Sequence, residues 1–173
     1  MKIKNLKLKI NQKGFTLIEL LIVITIIAIL IASATYSWQN AQQKGRDGKR
    51  KSDVKAVQQA LEFYYQKNGK YPDASSGTIR CNVGVAGDVN WGSAFNCDST
   101  NYMQQLPKDP AYQTTDDGYY YITPGANPVS YALWTKLENT NDPELPPKGT
   151  LPAPCTSAPL NGKRNQNFCA VNP

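Results

Sequence analysis

The sequence predicts an α+β fold in which one long N-terminal helix packs on a small antiparallel sheet, with disulfide-tied loops outside. Three observations predict it. An almost uncharged apolar run covers residues 15–34, and a segment with apolar side chains at helical spacing follows at 52–67. Two segments of strand composition, 119–123 and 130–138, lie in the second half of the chain together with all four cysteines.

The apolar run has the length of a membrane-spanning helix. At 1.5 Å per residue, residues 15–34 extend about 30 Å, which is the thickness of a bilayer core. A secretory signal peptide has a shorter apolar core, followed by a cleavage site of small residues. We therefore expect residues 15–35 to anchor the chain in a membrane.

One carboxylate, Glu19, interrupts this run. A charge at the centre of a bilayer costs roughly 2.5–3.5 kcal/mol even on the gentler insertion scales. Burial of that charge requires a partner, and the apolar run itself contains no basic side chain. Glu19 is therefore a candidate functional residue.

The positive charge of the chain is concentrated at its start. Of the net charge of +6, most belongs to five lysines in the first fourteen residues: Lys2, Lys4, Lys7, Lys9 and Lys13. The remaining 14 basic and 13 acidic side chains nearly balance, which gives little support to a nucleic-acid partner. A second basic group, Lys44 to Lys55, is interpreted as a solvated helix face or as a source of salt bridges between chains, with DNA binding the less favoured alternative. Because Lys13 adjoins the apolar run and residues 36–43 are uncharged, we expect the leader in the cytoplasm.

The second half of the helix carries one apolar stripe at helical spacing, formed by Val54, Val57, Leu61 and Tyr65. Asn68-Gly69, followed by Pro72, predicts that the helix ends near residue 67. Gly45 and Gly48 weaken its middle by about 1 kcal/mol each relative to Ala, so we expect a bend or local melting there.

The cysteines predict disulfide bonds. Cys81, Cys97, Cys155 and Cys169 form no CxxC pair and the chain has no histidine, which disfavours a zinc site. An even number of cysteines beyond an export-like start predicts two disulfides and an oxidising compartment. Three pairings are possible. We favour the local pairs Cys81–Cys97 and Cys155–Cys169, since each closes a loop of about 15 residues.

The rest of the chain has turn and loop composition. Residues 74–100 read as an irregular connecting loop, and the segment Pro-Gly-Ala-Asn-Pro predicts a hairpin connection between the two strands. From Asn139 onward the chain is rich in proline and asparagine, and we expect a surface tail. No catalytic constellation is present, since histidine and a glycine-rich phosphate loop are both missing and Asp116-Asp117 is typical of a turn. We therefore predict that the chain is not an enzyme.

The segment KGFTLIELLIVI, behind its basic leader, resembles the processing site of the type IV pilin family, which includes the pseudopilins of type II secretion. The resemblance implies that a prepilin peptidase cuts between Gly14 and Phe15 and that Phe15 is then N-methylated. It divides the chain into a removed leader (1–14), a helix (15–67) and an extracytoplasmic globular domain (68–173) with the pilin fold. Glu19, the fifth residue after the cut, would pair with the new amine of a neighbouring subunit and set the axial register.

The resemblance implies a structural function with two forms. The first is a subunit of a type IV pilus-like filament that serves adhesion, motility or DNA uptake, which the two disulfides and the long outer tail favour. The alternative is the major pseudopilin of a type II secretion system. A third hypothesis, from another class, is a membrane-anchored binding module that never polymerises.

The family also implies partners and a location. The partners are further copies of the chain, other pilins, the prepilin peptidase and N-methyltransferase, an assembly ATPase and a platform membrane protein. The precursor would sit in the inner membrane, and the product would be a periplasmic or extracellular filament.

Calcium is the one candidate cofactor. The segment LENTNDPE offers hard oxygen ligands of the kind that calcium takes: Glu138, Asn139, Asn141, Asp142 and Glu144. The major pseudopilins that the chain resembles carry calcium in their corresponding C-terminal loop. The spacing is not that of an EF-hand, and clusters of Asn, Asp and Pro are also common in plain turns.

Overall fold

A computed structural model describes residues 14–81, 87–111, 118–125, 127–145, 155 and 167–172, with the backbone alone at 34–37. Its only helix among these residues is α1, Leu17–Asn68, which is 52 residues long. The helix ends at Gly69, whose φ of 69° lies in the left-handed region and whose N–H donates to the carbonyl of Tyr65 over 2.8 Å. This is the glycine-terminated helix end that the sequence predicted.

The chain forms two compact units, Met1–Ala41 and Gln42–Pro173. In the first unit α1 is long and apolar enough to cross a membrane, and none of that apolar window is buried against the rest of the protein. The described large apolar side chains of this unit are exposed by between 47% at Ile27 in α1 and 91% at Phe15 just before it. This segment fits a membrane anchor.

In the second unit one face of α1 enters the core. The buried side chains include Val54, Val57 and Leu61 of the predicted stripe, with Tyr64 beside them. They pack with buried side chains of the strands and loops, among them Ile79, Phe95, Leu106, Tyr121, Tyr131 and Leu133. The packing of the helix on small antiparallel sheets confirms the predicted α+β fold.

The helix does not melt at Gly45 and Gly48, contrary to expectation, since residues 17–68 are helical throughout. Neither glycine has a positive φ. Between them Asp47 is 2% exposed, and Arg50 beyond them is fully buried. We attribute the intact helix to the tertiary contacts of these two side chains, which outweigh the low helix propensity of glycine.

All strand pairs are antiparallel. The first sheet has the order β1-β2-β3, with β1 at Asp73–Ser75, β2 at Thr78–Arg80 and β3 at Asp88–Val89. A hairpin of β4, Phe95–Cys97, and β5, Thr100–Met103, follows. The interpretation of residues 74–100 as an irregular loop was therefore wrong. These strands are two to four residues long, too short to show the alternation that reveals a strand in sequence.

The last sheet has the order β6-β7-β8: Tyr120–Ile122, Ala132–Thr135 and Phe168–Val171. The two predicted strands are present but shorter than expected. The expectation of a surface tail was wrong for residues 168–171, because β8 pairs with β7 along its whole length, from Ala132 opposite Val171 to Thr135 opposite Phe168. Residues 146–154 and 156–166 of the expected tail lie outside the described residues.

A turn at Gly77 connects the first and last sheets. Its carbonyl accepts hydrogen bonds from the N–H of Tyr121 at 3.0 Å and from the indole of Trp91 at 3.1 Å. Gly77 has a φ of 87°, and a Cβ atom there would lie 1.8 Å from the ring of Tyr120. Only glycine satisfies both constraints at this position.

Two disulfide bonds reinforce the second unit. They join Cys81 to Cys97 and Cys155 to Cys169, which is the local pairing favoured from the sequence. The first ties the end of β2 to β4, and the second ties residue 155 to β8. In the chain-entropy picture a loop of this size stabilises the fold by about 3 kcal/mol.

Candidate processing and assembly site

The start of α1 is organised by Thr16 and Glu19. The backbone N–H and the hydroxyl of Thr16 both donate to Oε2 of Glu19, at 2.8 Å and 2.6 Å. In return, the N–H of Glu19 donates to Oγ1 of Thr16 at 3.3 Å. This reciprocal arrangement is a capping box, which satisfies backbone N–H groups that the first turn of a helix leaves without partners.

The capping box gives Glu19 a partner within its own chain. Two hydrogen-bond donors and the positive end of the helix dipole stabilise its negative charge, although no cation of the described residues is involved. Glu19 was predicted from the sequence as a functional residue, whereas Thr16 was not. The signal was available, since Thr-Leu-Ile-Glu matches the Thr-x-x-Glu pattern of a capping box.

The expected cleavage point lies just outside the helix. Gly14 and Phe15 are exposed and non-helical, and a Cβ at Gly14 would meet nothing within 4 Å. A peptide bond outside regular structure can enter a protease cleft, and both residues that flank this bond are exposed. Residues 1–13, which include the basic leader, lie outside the described residues.

The helix after Glu19 has a mostly apolar surface, and two of its hydroxyl groups donate hydrogen bonds to carbonyls of the same helix. The hydroxyl of Thr25 donates to the carbonyl of Ile22 at 2.7 Å, and that of Ser33 donates to the carbonyl of Leu30 at 2.9 Å. Such bonds let hydroxyl groups sit in hydrocarbon without loss of a partner. The segment can therefore be surrounded equally well by lipid or by the apolar helices of other copies.

The residues predicted to bind calcium are placed on the loop after β7, which we call the post-β7 loop, residues 136–145. Its first carboxylate, Glu138, accepts hydrogen bonds from Nε and Nη2 of Arg46, at 2.7 Å and 2.5 Å, and from Nη1 of Arg50 at 2.9 Å. The hydrogen bonds from Arg46 are the main cause that lowers the pKa of Glu138 to about 2, against the opposing effect of burial.

The other acids of the loop are paired with a lysine of α1. The ammonium group of Lys51 lies 2.7 Å from Oδ1 of Asp142 and 3.3 Å from Oε1 of Glu144. No cluster of three or more acidic, histidine or cysteine side chains that could hold a metal occurs among the described residues. Asn139 Oδ1 accepts the N–H of Asn141, within the loop itself. These residues do not fit a calcium ion.

The basic group between Lys44 and Lys55 is divided in two by the fold. Arg50 is fully buried and forms a two-pronged ion pair with Asp109, at 2.7 Å and 2.8 Å, and a further pair with Asp47 at 2.7 Å. Burial alone would lower the pKa of Arg50, but the hydrogen bonds from its guanidinium to Asp109 and Glu138 raise it overall.

Hence the interpretation as a solvated face was wrong for Arg46, Arg50 and Lys51, while Lys44, Lys49 and Lys55 are exposed.

Two family models match the chain. Residues 9–35 match the prokaryotic N-terminal methylation motif, and residues 38–141 match the type II secretion system protein G. Among curated proteins, the type II secretion system core protein G of Pseudomonas aeruginosa is 30% identical over 118 residues, which cover 66% of this chain and 76% of the relative. Those of Escherichia coli and Vibrio cholerae are each 30% identical over 115 residues, which cover 66% of this chain and 74% and 73% of the relatives. No solved structure matches the chain.

Proposed function

The chain belongs to the family of the type II secretion system protein G, and we propose that it is the subunit that polymerises into the pseudopilus of a protein secretion system. The single observation that carries this proposal is the family match over residues 38–141, which lies beyond the N-terminal motif that pilins and pseudopilins have in common. It favours the secretion alternative over the surface pilus for adhesion, motility or DNA uptake, which the sequence analysis ranked first.

Maturation would start at the exposed Gly14–Phe15 bond. Hydrolysis by a prepilin peptidase adds water across this amide, leaving a carboxylate on Gly14 and a free amine on Phe15, which is then methylated. The match of residues 9–35 to the methylation motif supports this step, as does the position of the bond just outside α1. The product is a membrane-anchored subunit with a positive charge at its first residue.

Assembly would then exchange lipid for protein around the first half of α1. The exposed apolar side chains of residues 17–31 need hydrocarbon around them, and helices of other copies supply it as well as lipid does. The carboxylate of Glu19 would meet the amine of Phe15 of a neighbouring copy as that copy enters. This pairing fixes the axial offset, because any other offset leaves a charge without a partner in a low-dielectric core.

An assembly ATPase and a platform protein in the inner membrane would supply the work of extraction. Nucleic acid has no role in this proposal. The exposed lysines of α1, which include Lys44, Lys49 and Lys55, are free to meet acidic surfaces of other subunits instead.

The test is deletion of the gene in its own bacterium, followed by complementation with the wild-type chain. We expect the proteins that the secretion system exports to accumulate in the periplasm after deletion and to reappear in the medium after complementation. N-terminal sequencing of the complementing protein should begin at N-methylated Phe15. Normal secretion in the deletion strain, with loss of sheared surface filaments, would reject the proposal in favour of the pilus.

A further inference from the structure

We propose that α1 fastens the post-β7 loop with its own cationic side chains in place of a metal ion, so that the fold of this chain does not depend on calcium. The inference concerns the folded subunit and is independent of the secretion role. It departs from what the family resemblance implies for this loop.

The acids of the loop are matched to cations of one helix in sequence order. Glu138 lies against Arg46 and Arg50, and the pair Asp142 and Glu144 shares the ammonium group of Lys51. Lys51 Nζ therefore occupies the point where two carboxylates from the same loop converge. An ammonium ion there bridges them as a divalent metal ion otherwise would.

The loop backbone is also held by α1. Asp47 accepts the N–H of Glu138 at 2.9 Å through Oδ1 and the N–H of Asn139 at 2.8 Å through Oδ2. Asp142 Oδ1 accepts the N–H of Glu144 at 3.0 Å in addition to its bond with Lys51. The start and the end of the loop are thus both fixed before any external ligand is considered.

Because of these contacts, the post-β7 loop is a poor binding site for calcium. Calcium takes six to eight oxygen ligands, most of them from carboxylates, carbonyls and water. The three carboxylates that the sequence offered are engaged by Arg46, Arg50 and Lys51, and Oδ1 of Asn139 accepts an N–H within the loop. A metal ion among them would either lie beside fixed positive charges or displace Lys51 from a position where its side chain is only 17% exposed. A calcium ion beside these cationic side chains would be repelled strongly, because solvent that would screen the charges is mostly excluded.

The experiment uses the full-length protein in detergent and two readouts: the melting temperature of the globular unit and hydrogen exchange of the amides at 138–145. Both are measured with millimolar calcium chloride and with a chelator. We expect neither readout of the wild type to change between the two conditions. We expect Lys51→Met to exchange its loop amides about tenfold faster, because hydrogen bonds between charged groups are the stronger ones.

The matched control is Lys49→Met, the same substitution at an exposed position of the same helix, whose loop exchange should equal that of the wild type. The charge swap Lys51→Asp with Asp142→Lys should recover slow exchange. If Lys51→Met yields no folded protein, Asp142→Asn takes its place with the same expectation. Calcium that raises the wild-type melting temperature or slows loop exchange would overturn the proposal, as would wild-type exchange in the neutralised variant.

Discussion

The two halves of α1 are one continuous helix, but their side chains lie in opposite environments: those of the first half are exposed, and one face of the second half is buried. In residues 17–33 every side chain is exposed and most are apolar, and the polar atoms with described contacts bond to their own helix. In residues 42–68 one face is buried, and it includes a fully buried arginine held by acids from distant parts of the chain. In the proposed assembly the apolar side chains of the first half take their partners from outside the chain, whereas the buried side chains of the second half have theirs within it.

This difference predicts where mutations act. A change in the first half should alter assembly and leave the stability of the globular unit intact. A change at the buried charges of the second half should do the reverse, since it removes contacts within the subunit.

The largest effect is expected for Glu19→Ala, which should abolish filament assembly while cleavage and membrane insertion continue. The variant removes the carboxylate that sets the offset between neighbouring chains, and it removes charge from the apolar helix, which favours the lipid-inserted state. The yield of filaments is measured by cross-linking between subunits in cells that overexpress the chain. Thr25→Ala is the control, because that hydroxyl bonds only its own helix, and it should assemble normally. Filaments of normal yield from Glu19→Ala would show that the first half finds its register by apolar packing alone.

Next in size is Arg50→Ala, which should lower the free energy of unfolding of the globular unit by about 3–5 kcal/mol, because the buried carboxylates of Asp109 and Asp47 lose the guanidinium that pairs with them. Urea denaturation of the detergent-solubilised chain measures it. Lys49→Ala, one residue away and exposed, should stay within about 0.5 kcal/mol of the wild type. Equal stability of the two variants would mean that the buried ion pairs contribute nothing net.

The comparison of the two halves also explains what sequence could reveal. Three features of the helix are local patterns that the sequence shows directly: the apolar run, the single carboxylate of Glu19 within it, and the stripe at Val54, Val57 and Leu61. The stripe is visible because a helix repeats every 3.6 residues. The capping box was equally readable and needed only attention to Thr16 three residues before Glu19.

The features that were missed depend on long-range contacts. Arg50 meets Asp109 across 59 positions of sequence, and no local pattern reveals that partner. Its spacing does place it on a helix face, because Arg50 precedes Val54 by four residues and therefore lies on the side of the buried stripe. Similarly, β8 is a strand because β7 offers it an edge and Cys169 is bonded to Cys155, whereas its four apolar residues alone are too few to indicate a strand. Very short strands of this kind are defined by their partners rather than by their residues.

A smaller effect of pH on stability is expected at Glu138, whose ion pairs hold the post-β7 loop on the second half of α1. The pKa of Glu138 is lowered to about 2 from an ordinary 4.5, so its ion pairs stabilise the fold fully above pH 4.5 and less as the pH falls towards 2. Because Arg46 is partly exposed, we expect a loss of about 1–2 kcal/mol across this window.

Urea denaturation at several pH values checks this loss. Glu138→Gln should be less stable at neutral pH and should show a shallower decline on acidification. Asp98→Asn, at an exposed turn, should decline as the wild type does. Parallel declines for the wild type and Glu138→Gln would assign the acid sensitivity to other carboxylates.

The smallest effect, and the one that best separates the roles of the capping box, is expected at Thr16. Loss of an N-cap hydroxyl costs about 1 kcal/mol of helix stability, far less than loss of a buried charge partner. Thr16→Ala should therefore lower filament yield only several-fold, and Thr16→Ser, which keeps the hydroxyl, should restore it. If Thr16→Ala instead matched Glu19→Ala in abolishing filaments, the hydroxyl would have to do more than begin the helix. It would then hold Glu19 in the orientation from which the carboxylate meets the incoming amine. Equal yields for Thr16→Ala and Thr16→Ser would mean that the backbone N–H of residue 16, which both variants retain, is sufficient to orient Glu19.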